Sequence, residues 1–274
     1  MRRFFNQLFN LLKISFTILF IGGLTYYIID RIQKKNNLMD IEEYSPKSTL
    51  INKKTKLKRS KYPFVDVHNH QFDMPLKNLN KLVAEMDSLN MGFMINLSGF
   101  RGLYLKKSLE NIKENAPNRF GLFLNIDFEA IDESDFEATQ TALIDSAVNA
   151  GVMGLKVYKS LGLTDTDSKG NRISINDPRL APIWDTCGKN KIPVLIHSGE
   201  PSSFWHPKDK FNERWLELRQ KPNRFRDPNT NPSFEEVLAE QHEVFKKHPN
   251  TIFINAHLGW MGNDLDRLET HLDT

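Results

Sequence analysis

From Tyr62 onward the chain repeats one motif: a short run rich in Val, Ile and Phe, then a longer segment with helical spacing. The runs are FVDVH (64–68), GFMINLS (92–98), GLFLNIDF (121–128), GLKVYK (154–159), VLIHSG (194–199) and TIFINAH (251–257). They read as strands buried on both faces, and such strands alternating with helices build a parallel α/β sheet. The segment between the third and fourth runs carries Ala138, Leu143, Ala147 and Val148 toward one helical face and stops at Gly151. The first three intervals are about 30 residues, the size of one unit of a (β/α)8 barrel. Later intervals are longer: one holds a DSKG turn (Asp167–Gly170), the next a polar excursion over about 200–232. Long loops after strand C-termini build the active face of such barrels. The expected fold is a (β/α)8 TIM barrel, truncated to about six βα units and preceded by a transmembrane helix.

Charge is unevenly distributed. Residues 1–29 carry three basic groups (Arg2, Arg3, Lys13) and no acid; 30–61 carry ten basic and four acidic groups; 62–274 carry 24 basic and 30 acidic groups. The net charge of +3 therefore comes from the N-terminal arm. An acidic body argues against nucleic-acid binding. The single cysteine, Cys187, excludes a disulfide framework and a Cys-rich zinc module.

Ile14 to Ile29 is an uncharged apolar run behind Lys13 and a basic start. With a snorkelling lysine it is long enough to cross a bilayer, and Tyr26 and Tyr27 sit where an interfacial aromatic belt would lie. No A-x-A-like cleavage site follows, no cysteine offers a lipidation site, and a polar stalk separates the run from any core. The expectation is a signal-anchor at 1–29, a basic linker at 30–61 and a barrel domain at 62–274. The localisation expected is a single-pass membrane protein with its large domain outside the cytoplasm, on the periplasmic side in a bacterium. Basic residues flank the span evenly, so the sequence does not fix that orientation. The KKTKLKRSK end of the linker is read as solvated, with contact to anionic headgroups as the alternative.

Polar residues follow nearly every apolar run. The first ends in His68-Asn69-His70, the second offers Asn96 and Ser98, and the third Asn125 and Asp127. The fourth offers Lys156 and Lys159, the fifth ends His197-Ser198-Gly199-Glu200, and the sixth ends in His257. Period-two alternation puts His68 and His70 on one face. Four of eight histidines at strand ends point to a metal site, since neutral imidazoles are ligands for Zn2+ and similar ions. Hydrogen-bonded core histidines are the alternative.

These segments carry a family resemblance. VDVHNHQ, GLKVYKSLGL, IPVLIHSGEP and FINAHLG resemble, in order, the amidohydrolase-related family of metal-dependent TIM-barrel hydrolases, whose branches include decarboxylases similar to aminocarboxymuconate semialdehyde decarboxylase. The resemblance spans about 62–274. It implies His68, His70 and His197 as metal ligands and His257 as the catalytic acid/base or carbonyl-polarising group. It implies one divalent ion, with Zn2+ expected first and Mn2+ or Fe2+ as alternatives, and no organic cofactor. Lys156 matches a position that in some members is a carboxylated lysine bridging two metals; contact with a substrate carboxylate or a structural role are the other readings. Arg214, on the excursion with Trp205 and His206, is a candidate for a substrate carboxylate, with a surface arginine as its alternative. Asp165-x-Asp167-x-Lys169-Gly170 lacks the remaining ligands of a calcium loop and reads as a turn.

The function expected is a membrane-anchored hydrolase that cleaves an amide, ester or lactone of a small molecule through a metal-activated water. The alternatives are a metal-dependent decarboxylase of a small unsaturated or aromatic acid, and a non-catalytic anchored binding protein. The partners expected are a small-molecule substrate, with a carboxylate among the options, and a membrane; homo-oligomerisation is left open. The family pattern also has an aspartate after an eighth strand. Only six runs occur, and Asp264 and Asp266 read as helix-start residues. The expectation is therefore a fragment lacking roughly 60–90 residues, with a six-strand protein completed by a partner as the alternative.

Overall fold

A computed structural model describes residues 2–36, 43–46 and 56–272. Residues 37–42 and 47–55 of the expected linker lie outside the described residues. The chain divides into two compact units. One comprises Met1–Ser48 with Ser203–Arg226; the other comprises Thr49–Ser202 with Asp227–Thr274.

In the first unit, α1 (Arg2–Asn36) is a single helix that runs through Lys13 and past Ile29. Its stretch Ser15–Ile32 is long and apolar enough to cross a membrane, a criterion that a signal sequence also meets. Phe16, Leu19, Phe20 and Tyr26 are exposed there, and Arg31 Nε donates to the Tyr27 hydroxyl at 3.0 Å.

The second unit contains the elements β1 (Phe64–Asn69), α2 (Leu79–Leu89), β2 (Met91–Asn96), α3 (Gly102–Asn115), β3 (Phe120–Leu124), α4 (Phe136–Asn149), β4 (Gly154–Val157), α5 (Ala181–Lys189) and β5 (Val194–Ile196). The short helix α6 (Trp215–Gln220) falls in the first unit, and the second resumes with α7 (Phe234–Lys247), β6 (Phe253–Asn255) and α8 (Leu265–Leu272). The six strands pair in sequence order, every pair parallel. The sheet curls, bringing the rings of His68 in β1 and His257 after β6 to 5.0 Å between centroids. This is six units of the expected barrel, a curled half-barrel with alternating helices.

Alternation within the strands separates two layers. Ile95, Leu97, Phe123, Leu195 and Ala256 form one cluster on the concave side, flanked by Phe93 and Ile254. The in-register partner of Leu195 on β4 is Lys156, so the same alternation turns a lysine toward that side. Gly154 is required by packing: a Cβ there would lie 2.4 Å from the Phe123 ring. Val194, Ile196, Leu155 and Val157, of opposite parity, are buried toward the helices. β1 departs from the expectation of strands buried on both faces. Among the described residues it pairs with β2 alone, and Phe64, Val65 and Val67 are exposed.

The helix ends follow their side chains. Asn78 accepts from Lys81 N at the start of α2, and Asn90 ends it in the left-handed region at φ 65°. Ser233 and Glu236 form a reciprocal capping box on α7. The Asp165–Gly170 segment is a turn, as its sequence suggests: Asp167 Oδ1 accepts from Lys169 N and Asn171 N.

Candidate metal centre

The C-terminal ends of β1, β5 and β6 deliver three imidazoles to one point. His68, His197 and His257 each present a ring nitrogen, and these atoms all lie within 4.8 Å of one another. His68 is half-buried within β1, its backbone N–H donating to Asp66 Oδ1 at 3.0 Å. His197 directly follows β5, and its Nε2 is buried with no hydrogen-bond partner among the described residues. His257 stands in a left-handed turn, with φ between 54° and 61° at His257, Leu258, Gly259 and Trp260. That turn folds the Trp260 ring onto His257, 4.6 Å between centroids at 26°, while the indole N–H donates to Ser198 O at 3.0 Å.

His70 reaches the same region one strand position on. Its ring is 5.5 Å from that of His68, and its Nδ1 lies 2.8 Å from Ser98 Oγ. Ser98 Oγ lies 3.1 Å from the Tyr158 hydroxyl, and the His70 ring stacks between Tyr158 at 5.7 Å and Phe72 at 5.6 Å. The structure therefore brings together all four histidines singled out in the sequence, with three in the tight group and the fourth beside it on Ser98.

Lys156 belongs to this site. Its side chain is 1% exposed, and its Nζ has no hydrogen-bond partner among the described residues, facing the Tyr158 ring at 5.5 Å. Burial pushes its ammonium down from 10.5 to about 7. Nearby, Lys159 Nζ pairs with Glu200 Oε1 at 2.6 Å, Glu200 being buried and Lys159 partly exposed. Arg214 lies in the other unit, where its guanidinium pairs with Glu217 at 3.3 Å.

The electrostatics keep the imidazoles neutral. Burial, then Lys156, holds His68 down at about 4 and His197 at about 2. Burial and Lys156 also lower His70 and His257, with Glu200 opposing the shift at His257. Neutral imidazoles are the ligating form. A close group of unprotonated ring nitrogens, one buried without a partner, fits a divalent cation; three imidazoles are also the donor set of one class of catalytic zinc site.

Tyr158 and Trp260 are the site neighbours that the sequence reading missed. Tyr158 was recoverable, being two residues beyond Lys156 and thus on the same face. Trp260 was not, because its place depends on the left-handed turn.

Residues 116–274 match the family model described as amidohydrolase (Amidohydro_2). Among solved structures, 2,6-dihydroxybenzoate decarboxylase complexed with 2,6-dihydroxybenzoate is similar over 76% of this chain and 70% of that one, with TM-score 0.47 and 16% identity. The apo IDCase of Metarhizium anisopliae is similar over 72% of this chain and 51% of its own, with TM-score 0.44 and 15% identity. The 4-oxalomesaconate hydratase of Rhodopseudomonas palustris is similar over 71% and 53%, with TM-score 0.43 and 11% identity. The chain thus spans about half the length of the last two. No curated protein matches it. The family relation rests on the sequence match and not on these distant likenesses.

Proposed function

The chain belongs to the amidohydrolase family, and on that premise we propose that it is a membrane-anchored, metal-dependent hydrolase of a small molecule with an amide, ester or lactone bond. The observation that carries the reading is the convergence of His68, His197 and His257 within 4.8 Å at the strand C-termini. His68, His70 and His197 would hold one divalent cation, Zn2+ first, with Mn2+ or Fe2+ as alternatives. Such an ion supplies a Lewis acid and an activated water. His70 suits the role because Ser98 engages its Nδ1 and leaves Nε2 for a ligand, the usual orientation of a metal-holding imidazole.

His257 is the exposed member of the group and is held below the usual histidine range, so its ring is unprotonated near neutral pH. In this reading it would take a proton at a ring nitrogen and return it to the leaving group. The Trp260 ring fixes its plane. Lys156, buried and with no hydrogen-bond partner for its Nζ among the described residues, would receive a carboxylate of the substrate there. That lysine favours a second reading, decarboxylation of a small carboxylic acid at the same site.

Anchoring is supported by α1, whose apolar side chains over Ser15–Ile32 are exposed, a surface that water does not tolerate and a bilayer does. The proposed orientation puts the large domain outside the cytoplasm. The test is to purify the full chain in detergent, measure bound metal, and assay lactone, ester and amide panels alongside CO2 release. Bound divalent metal in stoichiometric amount, with turnover abolished by chelation, supports the proposal. A chain that binds no metal, and whose ligand binding survives His68→Ala and His197→Ala, would instead be a non-catalytic binding protein.

A further inference from the structure

Residues 203–226 carry seven Lys and Arg against three Asp and Glu, whereas the rest of 62–274 carries 17 against 27. This excursion, which belongs to the first unit, is thus a basic island in an acidic sequence. Two of its arginines are spent internally, since Glu217 pairs with both Arg214 and Arg224. Lys208, Lys210 and Lys221 are exposed and form no ion pair among the described residues. Lys208 Nζ sits over the Phe225 ring at 4.4 Å and Lys210 Nζ over Phe211 at 5.3 Å. Phe211 and Leu216 of the same excursion are 47% and 43% exposed. Exposed ammonium groups outside any ion pair, in one segment with exposed apolar side chains, give the excursion an amphipathic cationic character.

The surface is built rather than loose. Asn212 is buried, donating to the carbonyls of Ser203 at 2.9 Å and Pro207 at 3.0 Å while its Oδ1 accepts from Arg214 N. Arg226 N donates to Phe204 O and draws the two ends of the excursion together. It is also fastened to the segment that follows α1. Ser45 N donates to Lys210 O at 3.1 Å, the Tyr44 hydroxyl donates to Glu213 O at 3.3 Å, and the Tyr44 ring lies 6.1 Å from that of Trp215. Tyr44 is eight residues beyond Asn36, a separation that covalent geometry limits to about 28 Å. A span through α1 would therefore keep the excursion close to a bilayer surface.

We infer that the 203–226 excursion is a membrane-surface contact, taking anionic lipid headgroups on Lys208, Lys210 and Lys221 with Phe211 and Leu216 at the interface. The inference rests on the proposed reading of α1 as an anchor. Lysine suits the task, because a compact, hydrated ammonium meets phosphate or carboxylate headgroups without fixed geometry.

The experiment places the full chain in lipid nanodiscs of phosphatidylcholine alone or with about 30% phosphatidylserine. Lysine-directed acylation is then read residue by residue by mass spectrometry. The expected result is labelling of Lys208, Lys210 and Lys221 that falls about threefold or more with the anionic lipid and returns at ~0.5 M NaCl. Lys169 and Lys189, outside the excursion, should label alike in both discs. Equal labelling of the three lysines in both discs, with the chain co-eluting with lipid, overturns the inference and leaves the anchor standing. Failure to co-elute with either disc overturns the anchor, and the inference with it.

Discussion

Ser98 Oγ stands 2.8 Å from His70 Nδ1 and 3.1 Å from the Tyr158 hydroxyl, so a serine from the end of β2 sets the ring orientation of a histidine from the end of β1. Removing that support leaves the imidazole in place and frees its rotation. Ser98→Ala should weaken divalent-metal affinity about 10- to 100-fold, read by competition with a chromophoric chelator. Unchanged affinity would show that His70 takes no part in holding the ion.

His257 and His68 should fail differently. His68→Ala should abolish metal binding and turnover together. His257→Ala should keep its metal and lose about 10²- to 10⁴-fold in kcat, the usual share of general acid–base catalysis. Metal analysis of both purified variants separates the roles. Loss of metal in His257→Ala would make that residue a ligand, in line with its place in the three-nitrogen group.

Lys156 sets a pH dependence in the metal-free chain. Its folded-state value of about 7 lies below the ordinary 10.5, so between those limits the unfolded chain binds the additional proton. Stability should therefore rise as pH is raised from about 7 toward 10.5. Lys156→Met should flatten that rise and stabilise the metal-free chain at pH 7 by at least about 1 kcal/mol. Urea denaturation at several pH values checks both statements.

His68 and His197 act at the acid end. They stay neutral in the folded chain down to about 4 and about 2, whereas free imidazoles protonate near 6.5. Their contribution is thus fully present above pH 6.5 and lost as pH falls from there toward 4. In the metal-free chain, His197→Phe should blunt this acid sensitivity, followed by thermal melting between pH 7 and pH 4. Equal slopes for variant and parent would show that His197 titrates like a free imidazole.

Away from the site, Arg172 grips Glu240 with two hydrogen bonds, Nη1 to Oε2 at 2.9 Å and Nη2 to Oε1 at 2.6 Å. Glu240 Oε2 also accepts from Ile175 N, so one half-buried carboxylate ties the loop after β4 to α7. Glu240→Ala leaves that guanidinium without its partner and should cost about 3 kcal/mol, near the lower end for a broken buried pair. Urea denaturation measures it.

The strands and the four histidines were legible in the sequence because period-two alternation and apolar runs are local signals. FVDVH, GLKVYK and VLIHSG begin where β1, β4 and β5 begin. The concave placement of Lys156 follows from the same alternation, yet the lack of a hydrogen-bond partner for its Nζ among the described residues does not, since that depends on what the other strands bring near it. The exposure of β1 was illegible for a related reason: FVDVH has the composition of a buried strand, and exposure is decided by what covers it. The attachment of Tyr44 to the excursion was hidden as well, joining residues 169 apart through backbone carbonyls that carry no sequence mark.

The turn after β6 has a bearing on protein engineering. His257, Leu258 and Trp260 all hold positive φ without being glycine, a conformation that costs an L-residue about 1–2 kcal/mol. A library screened for heat resistance alone would drift toward glycine or asparagine at positions 258 and 260, where the backbone would relax at once. The gain would come at the expense of the indole that lies on His257. Thermostabilisation campaigns on this chain therefore need a functional screen at that turn, while positions elsewhere on the helical layer can be selected on stability by itself.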